Sequence, residues 1–198
     1  KLDGHNHPFV EHFKFVQSHI SPGFQAKQTI PAPCQAFIEF SRPENLEYLK
    51  KYYPSVEALI PDFVAAYQQV IRDLYSAGCR IVQFDDCTWG ALADWHIHPE
   101  HIPSYGIKGA ALDEAKQNFV KLNNAVIQGL PDDLVIQTHI CRGNYHSTWA
   151  NAGGYDYVAD PLFTTENVRA FFLEYDNDRS GTFEPLAKVP KGKCVVLG

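Results

Sequence analysis

The 198-residue sequence contains no methionine and opens on Lys1. A natural chain without a single methionine is expected to be a trimmed part of a longer protein. No apolar run approaches the roughly 20 residues that a spanning helix needs. No charged-then-apolar leader stands at the start either. A membrane partner and a secretion signal are therefore not expected, and a cytoplasmic location is. Positive charge is in short supply: 17 Lys and Arg stand against 23 Asp and Glu, a formal net charge of -6. That balance offers no attraction for nucleic acid or an acidic lipid surface. The five cysteines, Cys34, Cys79, Cys87, Cys141 and Cys194, are odd in number and scattered. Such usage suits a reducing compartment better than a disulfide framework. No internal repeat, low-complexity tract or linker interrupts the chain.

What is present is enough apolar material for one sizeable core: 45% hydrophobic residues, 13% of the chain aromatic. Short β-rich runs alternate with helical stretches. Residues 23–30 read as a strand whose ladder Pro31 and Pro33 end. Residues 56–77 give the best helix, with Leu59, Phe63, Ala66, Tyr67, Val70 and Leu74 at three- and four-residue spacing, stopped by Gly78. Residues 80–84 form a compact apolar strand followed by Asp85 and Asp86. Residues 111–128 are helical and closed by Gly129; residues 134–140 are a strand. A loop rich in Gly and Asn covers 143–154. Thr165 is placed as the N-cap of a short helix over 165–170, followed by strands over 171–175 and 194–197.

Apolar strands alternating with helices indicate an α/β fold with a parallel sheet buried on both faces. No Gly-rich phosphate fingerprint follows any strand, which counts against a nucleotide-binding, doubly wound sheet. Reactive side chains instead sit where successive strands end: Asp85 and Asp86, then His139 and Cys141, then Glu174 and Asp176. A TIM-type (β/α)8 barrel gathers its strands' carboxyl ends around one mouth, so these groups could converge there. About five strands are legible where a closed barrel needs eight. Residues 1–198 are thus expected to be an internal portion of such a barrel, lacking segments at both ends.

Thr138-His139-Ile140-Cys141 is the sharpest local signal. Residues two apart on a strand share a face, so imidazole and thiolate become two ready ligands for zinc. Taken alone, the pair is equally a core histidine beside a small buried hydrophobe. Glu174 follows three large apolar residues, where a charge is costly to bury unless paired or metal-bound; facing solvent is its other reading. Asp85 and Asp86 follow an apolar run in the same way. Alternation sends one of them to the mouth and the other away, and a helix cap or loop ion pair is the structural alternative.

Three segments in order, Gln83-Phe84-Asp85-Asp86, the run from Gln137 through His139 and Cys141 to Asn144, and Leu173-Glu174-Tyr175-Asp176, resemble the catalytic half of cobalamin-independent methionine synthases. The likeness is closer to their shorter, single-barrel bacterial relatives, and runs from Thr29 over most of the chain. It implies that His139, Cys141 and Glu174 are zinc ligands. It further implies that Asp85 holds the amine of homocysteine, with Asp86 beside it in the substrate site, and that the zinc's last ligand is a second cysteine beyond Gly198. Cys194, only 20 residues past Glu174, comes too early and is expected to be core. The glutamate that follows the family's aspartate motif has no counterpart, Trp89-Gly90-Ala91 standing there instead.

The resemblance implies a zinc-dependent transfer of a methyl group to the thiol of homocysteine. The donor is a methylated folate or, failing that, a methylated corrinoid protein or a sulfonium compound. Two rivals remain open on the residues. One is a barrel glycoside hydrolase with Asp85 and Glu174 as paired carboxylates, and the other is a zinc- or thiol-binding protein without turnover.

Overall fold

The computed structural model describes residues 2–104 and 106–198. Its centre is a five-stranded, wholly parallel sheet built from β1 (Gln28–Pro31), β2 (Ile81–Asp86), β3 (Val135–Ile140), β6 (Ala170–Leu173) and β7 (Cys194–Leu197), in that spatial order. The strands lie side by side in the order in which they occur along the chain. A doubly wound sheet reverses direction at a switch point; this one never does. Right-handed crossovers that never reverse place the connecting helices on one face. The observed architecture is α/β with an open parallel sheet. A closed barrel is not seen among the described residues.

The helices are α1 (Pro8–Gln17), α2 (Pro33–Phe40), α3 (Pro43–Leu49), α4 (Ile60–Ser76), α5 (Thr88–Ile97), α6 (Ala111–Ile127) and α7 (Ala159–Thr165). Among them α2, α4, α6 and α7 pack on one another. Helix α4 begins after a 3-10 turn over Glu57–Leu59 and buries Phe63, Val70, Ile71 and Leu74. It ends as its sequence predicts. Gly78 takes φ +101°, Cys79 N donates to the Leu74 carbonyl at 3.0 Å and Gly78 N to Tyr75 at 2.9 Å. This is a Schellman closure that a side chain at Gly78 would strain. None of the described helices is long and apolar enough to cross a membrane.

Strict alternation on β2 and β3 divides the sheet into two surfaces. Val82, Phe84, Asp86, Ile136, Thr138 and Ile140 are buried, while Gln83, Asp85, Gln137 and His139 are only half-buried on the other face. Register then sets Asp85 beside His139 and Asp86 beside Ile140.

The structure differs from the sequence reading in several places. The strand expected over 23–30 is Gln28–Pro31, because Gly23 lies at φ +89° and Phe24 N closes a turn on Ser21. The short helix before β6 is Ala159–Thr165, not 165–170: Glu166 already has extended ψ of 126°, and its side chain is drawn to Asn123. The 143–154 loop contains a small antiparallel hairpin of β4 (Asn144–Tyr145) and β5 (Thr148–Trp149). Cys194 is exposed rather than core, since β7 is an edge strand of the sheet.

Candidate metal and thiol site

Four side chains that the sequence singled out meet at the carboxyl ends of β2, β3 and β6. Ligand atoms of Asp85, His139 and Cys141 all lie within 4.8 Å of one another. Glu174, just past β6, joins through Oε1, 3.3 Å from His139 Nε2; Asp85 Oδ1 stands 4.0 Å from the same nitrogen.

The orientation of His139 is fixed from behind. Its Nδ1 lies 3.2 Å from the carbonyl of Phe172, which can only accept, so Nδ1 carries the proton. Nε2 therefore faces two carboxylates and a thiol sulfur, all electron-pair donors. Such a ring of acceptors needs a cation at its centre. The hydrogen bond with Cys141 raises the His139 pKa above its ordinary value, against the opposing effect of burial. A metal ion meets the same need. Imidazole nitrogen, thiolate and carboxylate form the mixed donor set that zinc takes, and a main-chain carbonyl behind the histidine is the usual outer support. The residues fit zinc.

Cys141 is prepared as a thiolate. A hydrogen bond from Cys87 and a second from His139 draw its pKa well below the ordinary thiol range, against the opposing effect of burial. The Gly143 N–H donates to its sulfur at 3.3 Å. The Cys87 thiol is pushed upward in turn, first by Cys141 and then by burial. Burial and the neighbouring Cys141 also raise the Asp85 carboxyl.

Glu174 is held in place by Arg179, whose Nη2 donates to Oε2 at 3.0 Å and to Asp176 at 3.0 Å, while Arg142 N donates to Oε1 at 3.2 Å. Helix α5 packs close behind: a Cβ on Gly90 would lie 2.6 Å from the Cys141 carbonyl. That approach explains glycine here.

Asp86 does not share this site. It is fully buried on the helix-covered face, where it accepts from Cys34 Sγ at 3.1 Å, Thr88 N at 2.9 Å and Asn123 Nδ2 at 3.4 Å. It cannot reach a substrate beside Asp85, and its expected place in the substrate site is withdrawn. Sequence reasoning missed Arg179, whose only trace was its spacing of five from Glu174 and three from Asp176. It did not foresee the hydrogen bond from Cys87 to Cys141 either. An opening of about 1110 Å³ lies at the opposite ends of β3, β6 and β7 near Arg169 and Lys193, away from these residues.

No protein-family model matches the chain. Two uncharacterised proteins of Bacillus subtilis (strain 168), YxjG and YxjH, are each 37% identical to it over its full length. A solved structure from Listeria monocytogenes, provisionally named a vitamin-B12-independent methionine synthase, superposes with a TM-score of 0.69 at 34% identity over 99% of this chain and 52% of that one. A B12-independent methionine synthase from Shewanella sp. W3-18-1, solved with selenomethionine, gives 0.60 at 20% identity over 96% of this chain and 48% of its own, a likeness of fold alone. The chain spans about half the length of the curated relatives it matches. Over that half it is similar in sequence and fold to the Listeria protein, and in fold to the Shewanella enzyme.

Proposed function

We propose that this chain carries the metal- and thiol-binding part of a (β/α)-barrel methyltransferase that makes methionine from homocysteine. The observation that carries the reading is the ring of acceptors around His139 Nε2, made by Asp85, Cys141 and Glu174 at adjacent strand ends. The likeness to the Listeria structure supports it. His139, Cys141 and Glu174 are the proposed zinc ligands, and residues 1–198 the proposed portion of the barrel.

Bound there, zinc would supply a Lewis acid that holds the substrate sulfur as thiolate at neutral pH, where a free thiol is mostly protonated. The protein's own groups do the rest. The Phe172 carbonyl keeps His139 in the tautomer with Nε2 inward. Cys87 and His139 hold Cys141 ionised. Arg179 turns Glu174 towards the cluster. Asp85, half-exposed beside the sulfur site, would receive the amino group of homocysteine and orient its thiol. A methylated folate is the donor this reading carries.

The hydrolase reading has less support: paired carboxylates alone leave His139 and Cys141, which stand in the same cluster, without a role. The decisive experiment measures bound zinc together with methionine formed from homocysteine, supplied in turn with methylated folate, a methylated corrinoid and a sulfonium donor. Zinc with turnover from one donor supports the proposal. Zinc and homocysteine binding without methyl transfer from any donor would leave a thiol-binding protein, and a chain that excludes zinc would overturn the reading.

A further inference from the structure

A second group of ligating side chains lies at the far end of α5. His98 caps that helix, and Pro99–His101 form a single 3-10 turn beyond it. Positions three apart eclipse in a 3-10 helix, which brings His98 and His101 together with ring centroids 4.8 Å apart. The turn is closed by His101 N on the His98 carbonyl at 2.9 Å, and Pro99 fixes its first φ. Glu100 Oε1 lies 3.3 Å from His98 Nδ1. One ligand atom from each of His98, Glu100 and His101 lies within 4.8 Å of the other two.

A separate observation concerns how one of these imidazoles is held. Asp94 is 1% exposed, yet its Oδ2 lies 2.8 Å from Nδ1 of the half-exposed His101. A buried carboxylate behind an exposed imidazole holds the Nδ1–H tautomer and leaves Nε2 outward as a lone pair. It is the outer support that metal-bound histidines commonly have. His96, close in sequence, is not part of this arrangement, since it stacks on Tyr157 at 3.7 Å.

We propose that His98, Glu100 and His101, backed by Asp94, form a second metal site, for a divalent transition ion. Two imidazoles and one carboxylate suit zinc, nickel, cobalt or copper, whereas calcium and magnesium want oxygen ligands only. Tetrahedral zinc, with bonds of about 2.1 Å, sets its ligands about 3.4 Å apart, a closure that exposed side chains reach by rotation. The other oxygen of Asp94 accepts from Ala152 N at 3.0 Å. An ion here is therefore tied to the loop that follows Cys141.

The absence of sulfur separates this site from the first. Titrated with Co2+, the native chain should bind two ions, and only one should show a sulfur-to-cobalt charge-transfer band. His98→Ala/His101→Ala should lower the stoichiometry from two to one and keep that band. Cys141→Ser should lose the band and still bind one ion through nitrogen and oxygen. Asp94→Asn should weaken the sulfur-free ion roughly 10- to 100-fold. A native chain with no sulfur-free ion, or one whose uptake is unchanged with both histidines replaced, overturns the proposal, whatever the first site does.

Discussion

Asp85 and Asp86 are consecutive carboxylates at the end of one strand, and the fold assigns them opposite circumstances. Asp85 faces His139 and Cys141 with its side chain 47% exposed. Asp86 is wholly buried on the other face, among Cys34, Thr88 and Asn123. The difference follows from the two-residue period of a strand. One surface of the sheet carries acceptors that converge on the His139 imidazole, and the other carries a buried cluster bound to itself by hydrogen bonds. The lesson is that a carboxylate's chemistry here is set by its parity along β2 and not by its neighbourhood in sequence.

The largest expected effect belongs to the open surface. Cys141→Ser should strip most of the zinc and abolish methyl transfer, because a hydroxyl at neutral pH is a far poorer zinc ligand than a thiolate. Thermal stability measured without metal should change little, since the half-buried Cys141 packs at the rim. Full zinc occupancy in this variant would break the contrast at its root.

The aspartate pair tests the contrast directly. Asp86→Ala strands the Thr88 amide and hydroxyl and one Asn123 donor inside the protein, and should destabilise the chain by about 2–4 kcal/mol. Asp85→Ala should cost within about 0.5 kcal/mol and act instead on homocysteine, raising its KM. Denaturant unfolding and steady-state kinetics read the two. Equal destabilisation by both variants would show that the two faces are not distinct.

Much of this arrangement was legible in the sequence. Strands β2, β3 and β7 announce themselves as short apolar runs, and the resemblance named His139, Cys141, Glu174 and Asp85, which the fold brings together. Helix α5 was not legible. It buries Thr88, Trp89, Gly90, Leu92, Ala93 and Asp94, nearly all round, so it has no polar stripe to reveal a period of 3.6. Arg179 escaped notice because its pairing with Glu174 is made by an irregular loop, which has no period. Cys194 was misread because an apolar strand was taken for a buried one, and edge position cannot be read from a single run.

The buried cluster also predicts a pH dependence. Burial first, and then Asp86, push the Glu166 carboxyl up to about 8. Its folded pKa lies above the unfolded value of about 4.3. The stability contributed by keeping it protonated is therefore fully present below about pH 4 and is lost as pH rises towards 8. Glu166→Gln should flatten stability across that window and have its largest benefit above pH 8. Unfolding curves at several pH values would measure this. An unchanged slope would mean that Glu166 is ionised in its buried setting, with Lys193 as the compensating charge.

The smallest effects sharpen the same contrast at two cysteines outside the proposed metal site. Cys79 is fully buried beside β2, and its thiol hydrogen-bonds the Ile81 carbonyl at 3.2 Å. Cys194 is exposed on the edge strand β7. Replacing sulfur by oxygen shortens the side chain and adds a polar group that wants two partners where the thiol was content with one. At Cys79 the surroundings supply one carbonyl, so Cys79→Ser should destabilise the chain by about 1 kcal/mol. At Cys194 water supplies the rest, and Cys194→Ser should stay within about 0.5 kcal/mol of the native chain. Both variants should bind zinc as the native chain does. Unfolding midpoints and bound zinc per chain decide the matter. A cost at Cys194 as large as that at Cys79 would mean that β7 is covered in solution by something beyond the residues described, which makes this mild substitution the most direct probe of the sheet's open edge.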